Sequence, residues 1–437
     1  MSAPASSNGH PRPVPSAPLA PRRAELLRIA TAGSVDDGKS TLIGRLLHDA
    51  KGILEDQMAH LQEASARRGS NGEVNLALLT DGLRAEREQG ITIDVAYRFF
   101  ATTRRSFIIA DTPGHEQYTR NMVTGASTAD LSLILVDARR GLFEQTRRHA
   151  YIASLLRTPH VVLCINKMDL VDYDESVFDA LVAEFGDWAA RLALGELTCV
   201  PVSALRGDNV VERSAKMPWY EGPTLLHHLE HVHVASDRNL DQARLPVQWV
   251  IRPEDGAGDY RGYAGRVAGG VIAPGDEVVA LPGGARTRIA SVETLDGPLE
   301  RAFPPLSVTV TLTDAIDVGR GDVLCHPDSP PTVARELEAD VCWMSEEPLT
   351  PGAGYLIKHG ARTVRAAVEE LRWLTDVTSL EHVGADRLAL NDIGRVRLRL
   401  AAPLAFDAYA VNRATGSFIV IDEDTNATAG AGMIVAP

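Results

Sequence analysis

At 437 residues, 45% apolar and 23% charged, the chain has the length of roughly three domains and a globular composition. Its 58 acidic and 44 basic residues leave a formal net charge of −14, the opposite of the balance a general nucleic-acid or anionic-membrane binder carries. There is no signal-peptide pattern and no apolar run of about 18 residues, and the four cysteines form no C-x-x-C pair. These features argue against a membrane span, secretion, a disulfide framework or a zinc ribbon, and fit a reducing, cytoplasmic setting.

Residues 1–24 are rich in Pro, Ala and Ser without period, and are expected to be a disordered tail. Between 25 and 238, short apolar runs at 26–31, 107–110, 131–136, 160–165 and 198–202 alternate with helical patterns at 39–47, 117–126, 145–156 and 176–192. Strands apolar throughout, alternating with helices, predict a mostly parallel sheet covered on both faces. From 243 to 332 the texture is short strands (247–251, 262–267, 277–281, 287–292, 306–312) separated by turns such as Ala-Pro-Gly-Asp at 273–276. That predicts a small antiparallel barrel. A second such domain is expected at 335–437, with strands at 337–344, 354–358, 395–400 and 418–421. Within it Val364, Val368 and Leu371 follow i, i+4, i+7, a helical period in a strand-rich region; pattern alone does not decide between the two.

Gly33-Ser34-Val35-Asp36-Asp37-Gly38-Lys39-Ser40, followed by Thr41, fits G-x-x-x-x-G-K-[ST] between a predicted strand and a predicted helix. In that context backbone N–H groups and a helix N-terminus face phosphate oxygens, Lys39 supplies a compact positive charge, and Ser40 offers a hydroxyl to Mg²⁺. The chain has only five lysines (Lys39, Lys51, Lys167, Lys216, Lys358), so a Lys in this loop carries information. Asp111-Thr112-Pro113-Gly114-His115 follows the next strand. Asp111 is placed to hold the Mg²⁺ shell, Gly114 to approach a γ-phosphate through its N–H, and His115 to orient the attacking water. Asn166-Lys167-Met168-Asp169 follows a third strand, where the Asp169 carboxylate can accept from N1–H and N2–H₂ of guanine. Ser203-Ala204-Leu205 follows a fourth, with the Ala204 N–H aimed at guanine O6. Thr92, beside Gly90, is the candidate to cap Mg²⁺ and the γ-phosphate from a mobile segment. Each motif alone is weak outside the phosphate loop; their order, each after a strand, predicts a GTP-binding α/β domain.

These residues, with Arg87-Glu88-Gln89-Gly90-Ile91-Thr92-Ile93 and two barrel-like domains, resemble translational GTPases of the elongation factor Tu type. Several stretches are closer to the large, GTPase subunit of bacterial sulfate adenylyltransferase: GSVDDGKSTLIGRLL at 33–47, DGLRAEREQGITIDVAYRF at 81–99, NKMDLVDYD at 166–174, MPWYEGPTLL at 217–226, RGYA at 261–264 and NRATGSFIVID at 412–422. Elongation factors usually carry His where this chain has Asp37. The resemblance implies an α/β GTPase domain followed by two antiparallel barrels, GTP and Mg²⁺ as cofactors, and a smaller catalytic partner subunit. That partner would form adenosine 5′-phosphosulfate and pyrophosphate from ATP and sulfate, with GTP hydrolysis driving the uphill step. No second phosphate loop follows, so a fused adenylyl-sulfate kinase is not expected in this sequence. An elongation factor-like GTPase delivering tRNA, or a regulatory GTP switch, are the alternatives; the charge of −14 and Asp37 weigh against the first.

Overall fold

The computed structural model describes residues 25–50, 76, 94–115, 119–234, 239–253 and 260–437. Thr92, Lys51, Gln117, the 1–24 segment and most of 81–99 lie outside these residues. The first body is a six-stranded sheet of β1 (Glu25–Ala32), β2 (Ala96–Ala101), β3 (Arg105–Asp111), β4 (Leu131–Asp137), β5 (His160–Asn166) and β6 (Glu196–Pro201). Strand order is β2-β3-β1-β4-β5-β6, parallel except for β2, which runs antiparallel along the edge. Among the described residues its α-helices are α1 (Lys39–Asp49), α2 (Thr119–Ala126), α3 (Glu144–Leu155), α4 (Glu175–Ala189) and α5 (Leu225–His231).

Every residue of β4 and β5 is buried, which is why both read as unbroken apolar runs rather than as alternation. The edge strand β2 alternates instead, leaving Tyr97 and Phe99 exposed, and its short polar-interrupted pattern is not predicted by an all-apolar rule. Leu27, Ile29, Leu133, Leu135, Val162 and Leu163 anchor the core with Leu42, Ile43 and Leu46 from α1. Burying each such side chain fully is worth about 1.5–3 kcal/mol. Helix α4 begins where Asp174 accepts a hydrogen bond from the Ser176 N–H at 2.8 Å, an N-cap that stops the preceding turn.

The second body contains β7 (Arg244–Pro246), β8 (Trp249–Ile251), β9 (Gly262–Arg266), β10 (Glu277–Leu281), β11 (Ala285–Thr294), β12 (Gly297–Pro298), β13 (Ser307–Leu312) and β14 (Val323–Cys325). Segments β7 and β8 form one bent strand, pairing with β14 at one end and β9 at the other, so the sheet closes into a six-stranded barrel. Tyr263, Val278, Ile289, Val292, Val310 and Leu324 fill it.

The third body has β15 (Thr332–Trp343), β16 (Gly354–His359), β17 (Arg362–Thr375), β18 (His382–Val383), β19 (Ile393–Phe406), β20 (Ser417–Ile421) and β21 (Thr428–Ala436). Pairing runs β16-β20-β21-β15-β19-β17 and returns from β17 to β16, again a closed six-stranded barrel. The segment with helical spacing is strand β17. Val364, Ala366 and Val368 alternate inward as a strand demands, and a register shift between Val368 and Glu370 flips the phase so that Leu371 also points inward. The i+4 step is two strand periods and the i+3 step is the bulge.

The bodies are tied by buried contacts. Cys342, Met344, Val377, Ile393, Tyr409 and Met433 of the third belong to the core of the first. Tyr409 donates to the Leu156 carbonyl at 3.0 Å, Trp188 to that of Thr378 at 3.1 Å, and Arg413 to that of Ser127 at 2.9 Å. Arg244 of the second body forms a bidentate pair with Asp407 of the third, at 2.9 and 2.8 Å. No helix among the described residues is long and apolar enough to cross a membrane.

Candidate functional site

Four loops meet at the carboxyl edge of the sheet, where an α/β fold binds its ligands. The first leaves β1 and enters α1. Gly38 is its turning point, with φ of 94°, and a Cβ there would lie 2.5 Å from Asn166 Nδ2. Both the backbone and the space therefore call for glycine. Asp36 also takes a positive φ, of 69°, and is exposed. Gly33, Asp37 and Lys39 are buried; Ser34, Val35, Gly38, Ser40 and Thr41 are half-buried.

Lys39 Nζ donates to the Gly33 carbonyl at 2.7 Å and the Ser34 carbonyl at 3.2 Å. Burial pulls its pKa below the usual lysine range, against the opposing charges of Asp111, Asp37 and Asp36. Asp111 ends β3, buried, with one oxygen 3.4 Å from Thr31 Oγ1. Thr112, Pro113 and Gly114 continue it inward, and Thr112 Oγ1 donates to the Thr31 carbonyl. A Cβ on Gly114 would fall 2.3 Å from both Lys39 Nζ and the Gly33 oxygen, so the second loop lies directly on the first. His115, next in sequence, is exposed.

The third and fourth loops are joined through Asn166. Its Nδ2 donates to the Asp37 carbonyl at 2.7 Å and its Oδ1 accepts from the Ala204 N–H at 3.0 Å. The Ala204 N–H, expected to face a base oxygen, is engaged with Asn166, so donating to a base would mean sharing or exchanging that bond. Lys167 adopts a left-handed φ of 65°, and its ammonium reaches the Asp36 carbonyl and Asp137 Oδ2, the latter at 2.9 Å. Met168 is buried beneath the loop. Asp169 accepts from Ser203 Oγ at 2.7 Å, which orients its carboxylate, and Leu205 is 51% exposed beside it.

Three groups here escaped the sequence motifs. Asp137, at the end of β4, is held by Arg139 at 2.7 Å as well as by Lys167. Burial would push its carboxyl up, but the hydrogen bonds from Arg139 and Lys167 outweigh it and hold the group well below the usual range. Its signal was present, as a carboxylate ending an apolar run in the same way Asp111 does. Arg45 of α1 donates to the carbonyls of Ala204 (3.1 Å) and Leu205, bracing the fourth loop on the helix that starts at the first. Lys216 sits 4.9 Å over the Tyr173 ring, behind the third loop. Neither of these two contacts has a sequence signature.

The donor set suits the phosphates of a nucleotide: a buried ammonium lies between two of the loops, and Ser34 Oγ is buried with no partner among the described residues. No group of three or more His, Cys, Asp or Glu suited to a metal occurs among the described residues. A divalent ion here would draw on hard oxygens, the Ser40 hydroxyl and Asp111 carboxylate, together with phosphates and water, as Mg²⁺ does in nucleotide sites.

Phosphate loop, D-x-x-G turn and the two base-recognition loops at one sheet edge, with two closed barrels following, define a GTP-binding protein of the elongation factor Tu class. The family described as "Elongation factor Tu GTP binding domain" matches residues 24–243, and "GTP-eEF1A C-terminal domain-like" matches 336–435. The chain is 57% identical over 413 residues to "Bifunctional enzyme CysN/CysC" of Mycobacterium tuberculosis, covering 94% of this chain and 67% of that protein. It is 54% identical to "Sulfate adenylyltransferase subunit 1" of Bacteroides fragilis, covering 94% and 86%, and 52% identical to the protein of that name from Alteromonas mediterranea, covering 94% and 87%. The chain belongs to the sulfate adenylyltransferase subunit 1 family.

Proposed function

We propose that this chain is the GTPase subunit of a heteromeric sulfate adenylyltransferase, acting with a small catalytic subunit and neither binding nucleic acid nor entering a membrane. GTP hydrolysis on this chain drives formation of adenosine 5′-phosphosulfate and pyrophosphate from ATP and sulfate on the partner. The observation that carries the reading is the convergence of the four loops on one sheet edge, tied by the two bonds of Asn166, in a chain more than half identical to relatives named sulfate adenylyltransferase subunit 1.

In this reading Gly33 to Thr41 cradle the phosphates, and Lys39 turns from its two carbonyls to the β- and γ-phosphates. Asp169, oriented by Ser203, accepts from the guanine edge; adenine would leave that carboxylate facing no donor. Gly114 brings its N–H against the γ-phosphate and His115 orients the water. Thr92 completes the γ-phosphate contacts. Ser40, Thr92 and Asp111 hold Mg²⁺, which when bound neutralises charge on the phosphates.

The test is pyrophosphate release by this chain with its small partner, ATP and sulfate, with and without GTP. GTP should raise the yield, and ATP with sulfate should stimulate GTP turnover. Independence of the two reactions refutes the coupling; retention of tRNA at physiological salt with a GTP analogue refutes it in favour of a translation factor.

A further inference from the structure

The phosphate loop holds an acidic side chain that the nucleotide motifs do not explain. Asp36 and Asp37 stand side by side where a polyanion is to bind. They point different ways. Asp36 is exposed and contributes its carbonyl to Lys167. Asp37 is turned under the loop, 2% exposed, and its Oδ2 accepts the Ser34 N–H at 2.6 Å across three residues. That bond closes the first half of the loop into a ring from beneath. The same oxygen would lie 3.4 Å from a Cβ on Gly33. Its main-chain carbonyl is the one that Asn166 holds. One residue thus links the loop's internal ring to the base-recognition loops.

We propose that Asp37 is a positioning residue with two opposed actions: its carboxyl oxygen shapes the phosphate loop, and its negative charge weakens the hold on a guanine nucleotide so that the nucleotide exchanges. The proposal rests on the reading of this loop as phosphate-binding. The charged groups facing Asp37 are Lys39 on α1, Lys167 after β5 and Asp137 at the end of β4. Both lysines belong to the motifs that meet the nucleotide, so a carboxylate among them draws on the same positive charge that the phosphates need. A side chain kept only to shape the loop would serve as well without a charge, since an amide oxygen accepts the same hydrogen bond. Burial raises its pKa to about 6, against the lowering effect of the Ser34 bond and the two lysines, so the group is mostly ionised near neutrality.

The variants separate the two actions. Asp37→Asn keeps an acceptor for Ser34 and removes the charge; Asp37→Ala removes both. Dissociation constants and release rates are measured with fluorescent GDP and a non-hydrolysable GTP analogue on the full chain at pH 7.5. Asp37→Asn should bind both nucleotides about ten-fold tighter than wild type and release them more slowly. Asp37→Ala should release faster than Asp37→Asn, because its loop has lost the ring. As pH falls from 7.5 to 5.5 the wild-type carboxylate protonates, so the ratio of wild-type to Asp37→Asn dissociation constants should fall toward one; titration of the phosphates cancels in that ratio. Asp37→His, neutral at pH 7.5, is a second charge-free variant should Asp37→Asn fold poorly. Equal or weaker binding by the charge-free variants overturns the proposal, as does a ratio that does not move with pH. If wild type binds no guanine nucleotide at all, the site reading itself fails; wild-type binding with unchanged variants overturns the Asp37 role alone.

Discussion

The two barrels are joined by a buried ion pair, and breaking it should be far more costly than breaking a surface one. Arg244 is 1% exposed and donates through Nε and Nη2 to both oxygens of Asp407, at 2.9 and 2.8 Å. Its remaining Nη1 donates to the carbonyls of Ala243 and Ser329, at 2.9 and 2.7 Å, and Asp407 also accepts from Thr415 Oγ1 at 2.6 Å. Asp407→Ala removes two charge-assisted bonds and leaves a guanidinium that is 1% exposed with only its two carbonyl acceptors. A buried charge stripped of its partner costs about 3–5 kcal/mol, against about 0–1 for a solvent-exposed pair. Replacing both partners by apolar residues, as in Arg244→Met with Asp407→Leu, should return most of that loss, because desolvation of two charges is removed along with their attraction. The assay is urea and calorimetric unfolding of wild type, Arg244→Met, Asp407→Leu and their double variant, with Asp407→Ala alongside. Wild type should unfold its barrels together, and Asp407→Ala should lower that transition and split it. A loss below about 1 kcal/mol, or single-variant losses that simply add in the double variant, would refute the reasoning.

Gly114→Ala should cut single-turnover GTP hydrolysis at least about ten-fold, because the new methyl lands 2.3 Å from Lys39 Nζ and the Gly33 backbone oxygen and forces the two loops apart; unaltered turnover would show that the two loops are not held in this contact. Asp169→Asn should move preference from GTP toward xanthosine triphosphate, read by competition binding, since an amide donates where the carboxylate accepted. Ser203→Ala should weaken GTP by about 1 kcal/mol through the lost 2.7 Å bond on Asp169 without changing that preference. For nucleotide-free protein, Asp37 lowers stability when ionised: its folded pKa is about 6 against an ordinary carboxyl value of 3.8, so its favourable contribution is complete below about pH 4 and lost as pH rises through 6. Asp37→Asn should therefore be more stable than wild type at pH 7.5, by up to ~3 kcal/mol, and equal to it near pH 4; a gap independent of pH would contradict this.

The parallel sheet was legible because burial on both faces writes itself as runs with no polar interruption, as in Leu131–Asp137 and His160–Asn166. Edge strand β2 has one wet face, and its Tyr-Arg-Phe-Phe alternation sits beside polar turns that blur it. Strand β17 hid for a different reason. A bulge changes which parity points inward, so a 14-residue strand carries a spacing that a helix also satisfies. The two barrels were legible from short strands and turns, but not which strands close them: the return pairings of β8 with β9 and of β16 with β17 depend on strand tilt and curvature, which no local pattern records.

At the site, residues whose type is forced by chemistry were visible and residues that brace them were not. Lysine scarcity singled out Lys39 and Lys167, and both stand where a thin, flexible ammonium reaches a carbonyl past a crowded loop. Arg45, by contrast, is one of many arginines on a helix, and only the folded path of the chain brings its guanidinium to the carbonyls of Ala204 and Leu205 more than 150 positions away. Asn166 lies between the two cases. Its motif marks it as a residue beside the base, yet its side chain is spent on the backbone of two other loops. In the proposed function, base recognition then depends on the shape of the phosphate loop: a change that moves the Asp37 carbonyl is passed through Asn166 to the Ala204 amide. In that proposed function, discrimination of the base and grip on the phosphates are coupled, because one amide side chain holds the phosphate loop through Nδ2 and the Ala204 loop through Oδ1.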